Sequence, residues 1–203
     1  MSVTHQPTLL GGLPPGPGPA PVWSRAELDA TSWVDIARDW WTGADTLLDE
    51  LSATIAWKQG RRTMWDRVLD DPRLSYWGHD VARHPQLAAM RTALERSYGR
   101  RLRPPGLNFY RHGQDSVAWH SDRELRRLDD TLVAIVTLGT RRPFLVRPKG
   151  GGASIDLAPA SGDLLVMGGA CQRDWEHTVP KIARSGPRIS ASWRWATPAP
   201  RDR

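Results

Sequence analysis

The sequence TLVAIVTLG, residues 131–139, is a short run of the type that forms a β-strand. Three similar runs follow it: RRPFLVRP (141–148), GDLLVMGG (162–169) and PRISASWRW (187–195). Gly, Pro and Asp residues separate these runs, and such residues mark turns between short strands. The second half of the chain therefore predicts a series of strands that form a β-sandwich or a jelly roll.

Two helices are predicted ahead of these strands. The segment from Asp45 to Trp57 carries apolar residues at helical spacing, namely Leu47, Leu48, Leu51 and Ile55. A second helix is predicted from Pro85 to Tyr98, because Pro suits a first turn and Gly99 can end a helix. Its shared apolar face consists of Leu87, Met90 and Leu94. Helices followed by strands predict an α+β protein with its N-terminal helices packed on the sheet.

The length of 203 residues fits one domain. The Pro/Gly-rich residues 1–22 are expected to form a disordered leader, residues 23–196 the domain, and residues 197–203 a flexible tail. No apolar run is long enough to cross a bilayer, so we expect no membrane partner and a cytoplasmic protein. The single cysteine, Cys171, cannot form an internal disulfide. We also expect the protein to be a monomer.

The charge of the chain is basic, with 28 Lys and Arg against 22 Asp and Glu, a formal charge of +6 and a pI near 10.2. Most of the cations are arginines, which bind phosphates bidentately. A surface of this kind favours nucleic acid as a partner. The alternative is that the charge serves solubility alone.

The sequence WHSDRE, residues 119–124, places His120, Asp122 and Glu124 at alternate positions. On a strand these residues share one face, so an imidazole and a carboxylate can reach one metal ion. His177 is the candidate third ligand, because it follows the strand-like run 162–169 that could carry it back across the fold. Two histidines and one carboxylate are the ligand set of non-haem Fe(II) oxygenases. The alternative is that both histidines are structural.

Arg188 and Arg194 are six residues apart in the last strand-like run. That even separation puts both guanidinium groups on one face, toward the interior. A buried arginine needs an anion beside it, and this segment has no acidic residue to supply one. The dicarboxylate of a keto-acid co-substrate is a natural partner, whereas two surface cations are the alternative.

Together these residues resemble the AlkB-type Fe(II)- and 2-oxoglutarate-dependent dioxygenases, over about residues 57–195. The family pattern of Asn-x-Tyr, Gly, His-x-Asp, a distal His and two arginines is met in order by Asn108, Tyr110, Gly113, His120, Asp122, His177, Arg188 and Arg194. The resemblance implies a double-stranded β-helix, or jelly roll. It implies that Fe(II) is held by His120, Asp122 and His177.

The resemblance also implies a role for each 2-oxoglutarate residue. Arg188 with Tyr110 would bind the distal carboxylate, and Arg194 with Asn108 would bind the end beside the metal. From the residues alone, Asn108 and Tyr110 also fit turn chemistry and core packing. Glu124 matches the acidic residue that reads the exocyclic amine of the damaged base in family members, and its alternative is an exposed glutamate.

MWDRVLDDPRLSYWG, residues 64–78, resembles the nucleotide lid of DNA-repairing members. Within it Arg73 is a candidate phosphate contact, and Tyr76 or Trp77 is a candidate to stack on a flipped base. Either aromatic residue also fits the core.

The resemblance implies oxidative demethylation of N-alkylated bases in DNA, with RNA as an alternative, using Fe(II), O2 and 2-oxoglutarate. The expected lesions are of the 1-methyladenine and 3-methylcytosine type. Two other interpretations stay open. One is the same chemistry on tRNA or a small molecule, and the other is a catalytically silent nucleic-acid-binding or zinc-binding jelly roll.

Overall fold

The computed structural model of the chain describes residues 14–64 and 67–196. Its strands are β1 Gly16–Pro17, β2 Val22–Glu27, β3 Ser32–Arg38, β4 Trp41–Thr42, β5 Lys58–Met64, β6 Arg67–Tyr76, β7 Gly106–Tyr110, β8 Val117–His120, β9 Thr131–Gly139, β10 Leu145–Pro148, β11 Ile155–Asp156, β12 Leu164–Gly169, β13 Trp175–Val179 and β14 Arg188–Ala196. Its helices are α1 Ala44–Thr54, α2 Pro85–Tyr98 and α3 Cys171–Asp174, with a 3-10 turn at Val81–Arg83.

Two antiparallel sheets face each other across one apolar layer. The larger has eight strands in the order β2-β3-β12-β9-β14-β7-β6-β5, and the smaller has four in the order β11-β10-β13-β8. Side chains from both sheets share one buried cluster, which includes Val133 and Ile135 of β9 and Val146 of β10. The two sheets therefore form the sandwich that the strand pattern predicts.

The apolar run of β9 decides the fold because all nine residues of the strand are buried. Leu132, Ala134, Val136 and Leu138 pack in a cluster with the helices, whereas Val133 and Ile135 face the smaller sheet. Alternate residues of a strand point to opposite faces, so an uninterrupted apolar run needs a covering layer on both sides. Helices cover one face of this sheet and strands cover the other.

The two predicted helices are present. Helix α2 has the predicted bounds, with Gly99 after it at φ +61°, a left-handed conformation that suits glycine. Helix α1 ends at Thr54, three residues before the predicted end, because Ile55 already has an extended backbone. No helix among the described residues has the length and apolar character needed to cross a membrane.

Strands β2 and β3 are not anticipated by the sequence. Both lie in one sheet, and β3 pairs with the central strand β12. Asp35 and Arg38 interrupt the apolar pattern of β3. Asp35 forms an ion pair with Arg25, and Arg38 forms one with Asp163. Buried charges of this kind hide a strand from its hydrophobic periodicity, since their partners come from distant sequence.

The disordered leader predicted for residues 1–22 needs a correction at its end. Gly16–Pro17 pairs with Trp41–Thr42, and the hydroxyl of Thr42 donates to carbonyl groups in this segment. These contacts give part of the Pro/Gly tract a fixed place beside the domain. Residues 1–13 and the predicted tail 197–203 lie outside the described residues.

Candidate metal and co-substrate site

His120 and His177 meet because their strands are neighbours. Strands β8 and β13 pair antiparallel, with His120 directly opposite His177, and the two ring centres are 4.3 Å apart. Asp122 lies two residues beyond His120. One ligand atom from each of the three residues lies within 4.8 Å of the other two, so these side chains can hold one metal ion.

The prediction that His120, Asp122 and Glu124 share a strand face is wrong, because β8 ends at His120. Asp122 instead begins a turn in which its carbonyl accepts the N–H groups of Leu125 and Arg126. The buried side chain of Gln172 accepts the backbone N–H of Asp122 at 2.8 Å. The carboxylate therefore reaches the histidines through a turn and a side-chain hydrogen bond, and not through strand alternation.

Glu124 lies on the outside of that turn. Its side chain is 54% exposed and forms an ion pair with Arg103 at 3.1 Å. It does not line the pocket that contains His120, Asp122 and His177. The position predicted for Glu124, beside the metal, depended on the strand continuing, so that placement is corrected.

Both histidines are neutral in their surroundings. Burial lowers the pKa of His177 to about 3, with a further contribution from His120, and burial also lowers the pKa of His120. Nδ1–H of His120 donates to the carbonyl of Ala118 at 2.8 Å, which leaves Nε2 as the free lone pair. Neutral imidazole is the form that binds metals. The two rings are therefore prepared to act as ligands.

Asp122 is ionised despite its surroundings. Burial opposes its ionisation, but Arg194, with smaller contributions from His177 and His120, holds the pKa of the carboxyl below its usual range. Nε of Arg194 donates to Asp122 at 2.6 Å. The side chains of Arg194 and Asp122 are only 15% and 11% exposed, so the pair is largely shielded from solvent. The ligand set accordingly carries one negative charge and two neutral donors.

Strand β14 places both predicted arginines on one face, as their even separation predicts. Ser190, Ser192 and Arg194 line the pocket, whereas Ile189, Ala191 and Trp193 pack among the helices. Arg188 continues the pocket-side row and donates to the hydroxyl of Thr137 on β9. The row therefore runs from Arg194, which contacts the candidate ligand Asp122, to Arg188, which lies next to the pocket residue Tyr110.

Arg188 is a buried cation without an anion. Its side chain is wholly buried, and Nε and Nη1 have no hydrogen-bond partner. Burial lowers its pKa to about 10. Unpartnered buried N–H groups cost free energy, and a carboxylate can accept two of them at once. The buried ring of Tyr110 lies beside this guanidinium group, 6.0 Å from Cζ. The Arg188 end of the row thus offers unpartnered donors that fit a carboxylate.

Arg73 lies inside the pocket, a place that differs from the predicted phosphate contact. Its Nε donates to the side-chain oxygen of Asn108 at 2.9 Å, and both residues line the pocket with His120. Arg73 reaches this place because β6 pairs with β7, which sets Ser75 opposite Asn108. The side chain of Arg73 therefore points toward the candidate metal site and not toward a nucleic-acid backbone outside the pocket.

Tyr76 and Trp77 differ in their availability. The hydroxyl of Tyr76 donates to the carboxylate of Asp80 at 3.0 Å, and its ring packs against the helix-side cluster. Trp77 is 61% exposed, and its ring lies 5.0 Å from the guanidinium carbon of Arg194. A Cβ on Gly106 would meet this ring at 2.1 Å, so the glycine makes room for it. Trp77 is therefore the exposed aromatic surface beside the metal ligands.

Three residues of this region were missed by the sequence analysis: Gln172, Thr137 and Arg142. Gln172 holds Asp122, Thr137 holds Arg188, and Arg142 donates to carbonyl groups of the loops at His112 and Pro180. None has a local pattern that would single it out, because each acts on a partner at least 27 residues away along the chain.

The donor set fits the groups that the sequence predicts. Neutral histidines and one ionised carboxylate suit Fe(II), and the unpartnered N–H groups of Arg188 suit the distal carboxylate of 2-oxoglutarate. The pocket between them is lined by Ser190 and Ser192, which leaves space for a short chain. The side chains present therefore match an iron and a dicarboxylate.

Comparison with known proteins agrees with this geometry. Residues 54–198 match the sequence model of the 2OG-Fe(II) oxygenase superfamily. The chain is 30% identical over 181 residues to human alpha-ketoglutarate-dependent dioxygenase alkB homolog 3, an alignment that covers 78% of this chain and 63% of that protein. The chain thus spans less than two thirds of that relative. It is also 35% identical over 112 residues to DNA oxidative demethylase ALKBH2 of Arabidopsis thaliana, covering 43% of this chain and 36% of the relative.

Solved structures share the fold. An oxidoreductase of the 2OG-Fe(II) oxygenase family from Burkholderia pseudomallei aligns with a TM-score of 0.52 at 18% identity, over 74% of this chain and 78% of that one. A prolyl hydroxylase from Trichoplax adhaerens aligns with a TM-score of 0.53 at 11% identity, over 74% and 75%. These similarities confirm the jelly-roll fold. The chain belongs to the 2OG-Fe(II) oxygenase superfamily, and its sequence is similar to those of AlkB homologues.

Proposed function

We propose that this protein removes methyl groups from N-alkylated nucleobases, in DNA or RNA, by an Fe(II)- and 2-oxoglutarate-dependent oxidation. The methylated base, O2 and 2-oxoglutarate give the hydroxymethyl base, succinate and CO2. The hydroxymethyl group then leaves as formaldehyde and restores the base. The bound iron and co-substrate supply the oxidising chemistry, and the protein supplies binding, orientation and electrostatics.

The observation that carries this proposal is the row of side chains from His120 to Arg188. His120, Asp122 and His177 would hold the metal, since their donor atoms are already close together and in the required protonation states. Arg188 beside Tyr110 would bind the distal carboxylate, because it is buried with two N–H groups unpaired.

The other end of the co-substrate would lie near Asn108 and Arg194, as the sequence predicts. Arg194 already donates to Asp122, so one guanidinium group would fix a metal ligand and neighbour the co-substrate. Arg73 would orient Asn108 through its hydrogen bond to the amide oxygen. Each of these groups is held by another before any ligand arrives, and this preorganisation lowers the cost of binding.

The class of substrate is supported by the printed names of the relatives and by the charge of the chain. One relative is named a DNA oxidative demethylase. The formal charge of +6 suits a polyanion, whereas a neutral small molecule would not need it. A catalytically silent jelly roll is disfavoured, because it would gain nothing from a wholly buried and unpaired Arg188. The monomeric state and the cytoplasmic location stay predictions.

The deciding experiment is anaerobic loading with Fe(II) and 2-oxoglutarate, followed by O2 and a methylated oligonucleotide. We expect mass spectrometry to show loss of the methyl group from 1-methyladenine and 3-methylcytosine, with formaldehyde and succinate formed in equal amounts. Succinate formed without any demethylation would show that the oxidation is correct and the substrate is wrong. The absence of succinate would contradict the chemistry itself.

Trp77 is predicted to stack on the flipped base. Trp77→Ala should weaken binding of the methylated base by about 1–3 kcal/mol, the usual contribution of one aromatic stack. Uncoupled 2-oxoglutarate turnover should stay unchanged. Tyr76→Phe is the matched control, because the Tyr76 hydroxyl is committed to Asp80. The measurement is kcat/KM on a methylated oligonucleotide, and an unchanged value in Trp77→Ala would remove the stacking role from Trp77.

Glu124 is predicted from its place in the structure to have no part in base discrimination. Because its carboxylate is exposed and paired with Arg103, Glu124→Ala should leave the ratio of kcat/KM for 3-methylcytosine and 3-methylthymine unchanged. Both rates are measured on otherwise identical oligonucleotides. A ratio that narrows in the variant would restore the amine-reading role that the sequence predicts.

A further inference from the structure

Six arginines lie on two segments that border the metal site: Arg100, Arg101, Arg103, Arg123, Arg126 and Arg127. All six are exposed, and we call them the arginine surface. The acidic residues in residues 100–103 and 123–130 are Glu124, Asp129 and Asp130. Six positive against three negative charges leave an excess of three, which is half of the formal charge of +6 of the whole chain. The arginine surface therefore carries a net positive charge beside the metal site.

Contacts between the two segments show that they are one surface. Arg103 forms an ion pair with Glu124 at 3.1 Å, and Arg100 forms one with Asp130 at 3.6 Å. Exposed pairs of this kind contribute little stability, but they show that the two segments lie side by side. Arg123, Arg126 and Arg127 form no ion pair within the described part of the chain. Their charges are free to meet an external anion.

These three arginines point outward because the leucines of the same turn are buried. The turn after Asp122 is anchored by Leu125, which is 1% exposed, and by the partly buried Leu128, both packed in the layer between the sheets. With the two leucines inward, Arg123, Arg126 and Arg127 project from the opposite side of the turn. The turn begins at a candidate metal ligand, so the free cations sit at the edge of the site.

The second segment reaches the same edge. The backbone N–H of Arg103 donates to the carbonyl of Arg194, and Arg100 lies 4.3 Å over the ring of Trp195. Farther along, Pro104 and Pro105 share a shallow pocket with Trp77. The arginine surface is therefore continuous with the exposed aromatic ring beside Arg194.

We infer that the arginine surface binds the phosphate backbone of the nucleic-acid strand whose base enters the pocket. A strand with one base against Trp77 has its neighbouring phosphates a few ångströms away, and planar guanidinium groups bind phosphates bidentately. Binding there is independent of base sequence and weakens with salt, since each contact releases counterions. This inference rests on the proposed function for its choice of strand, but its test does not need catalysis.

The test compares two triple variants that remove the same charge. Arg123→Gln/Arg126→Gln/Arg127→Gln neutralises the free part of the arginine surface. Arg141→Gln/Lys181→Gln/Arg184→Gln is the control, because these exposed residues lie in the loops that follow β9 and β13. Those loops are on the side of β14 where Arg188 pairs with Gly139, at the other end of the strand from Arg194. Thermal melting should be alike in both, since all six side chains are exposed.

The readout is fluorescence anisotropy with an unmodified, fluorescein-labelled single-stranded oligonucleotide, titrated without iron at several salt concentrations. Each lost phosphate contact lowers the slope of log K against log salt by about 0.7, so the first variant should lose about 2 in slope and the control almost none. An equal loss in the two variants would overturn the inference, and so would no loss in either. Because no turnover is measured, this result stands whether or not the protein demethylates.

A turnover arm links the surface to the proposed function. In the first variant, kcat/KM should fall on a long methylated oligonucleotide and stay unchanged on a methylated trinucleotide, which offers few phosphates. A fall of the same factor on both substrates would place the arginines in the pocket itself and overturn the inference. Failure of the wild type to demethylate either substrate would refute the proposed function, and the salt slopes would still decide the surface.

Discussion

Asp122→Ala protein should lose at least about 100-fold in 2-oxoglutarate turnover, because even residues that only support a metal ligand cost 10–100-fold when removed. The substitution leaves two neutral histidines and removes the only charged donor of the set. It also leaves the guanidinium group of Arg194 facing that site without its carboxylate. Weaker Fe(II) binding should therefore accompany the loss, and anaerobic calorimetry with Fe(II) measures it directly.

Two further variants separate loss of coordination from loss of folding. Asp122→Asn keeps the size of the side chain and the N–H bond to Gln172, yet it lacks the charge, so it should lose Fe(II) affinity with a near-normal melting temperature. Asp129 lies in the same segment between β8 and β9, and its side chain is 83% exposed. Asp129→Ala should therefore keep both Fe(II) affinity and turnover. Turnover close to wild type in Asp122→Ala would remove Asp122 from the ligand set.

Arg188→Met should raise the KM for 2-oxoglutarate by at least about 30-fold, since loss of one partner of a buried, hydrogen-bonded charge pair costs about 2 kcal/mol or more. Methionine keeps much of the apolar stem of the side chain and removes the guanidinium group. Uncoupled turnover measured over a range of 2-oxoglutarate concentrations gives KM and kcat separately. The increase should lie mainly in KM, because the distal carboxylate does not take part in bond making.

Although Arg188→Met should weaken co-substrate binding, it should not lower the stability of the protein without co-substrate. Without co-substrate, Arg188 buries unpartnered N–H groups. The free energy of unfolding of Arg188→Met should therefore equal or exceed that of wild type. Wild type should gain thermal stability on addition of 2-oxoglutarate and Fe(II), and the variant should gain much less. Arg91→Met, at a half-buried surface pair with Glu95, is the control and should behave like wild type in both assays. A normal KM in Arg188→Met would mean that the dicarboxylate binds elsewhere.

The sequence predicted the parts of this protein that local periodicity encodes. Helix α2 has the predicted bounds, because Pro at its start and Gly after its end act within a few residues. The uninterrupted apolar run of β9 predicted a strand, and the even separation of Arg188 and Arg194 predicted a shared face. Strand alternation is a short-range property, so these predictions needed no knowledge of the partners.

Strand periodicity does not predict the positions of side chains where the chain leaves regular structure. The rule that put His120, Asp122 and Glu124 on one face is correct for a strand, but β8 stops after His120. Gln172, which comes from 50 residues away, then orients Asp122, and Arg103 draws Glu124 outward. Such partners are set by packing, and nothing in the six residues WHSDRE encodes them.

Tertiary structure also decided which charges are buried and which are free. The sequence gives Arg73, Arg188 and the arginine surface the same residue type, yet Arg188 is wholly buried, Arg73 binds Asn108, and Arg126 is exposed. Their roles differ because burial and distant partners determine the electrostatic free energy of a guanidinium group. By itself the sequence determined which residues are the candidate ligands and which apolar runs form strands. Only the packing of two sheets and two helices brought the ligands within 4.8 Å and left one buried arginine in need of an anion, because both depend on contacts between residues far apart in the chain.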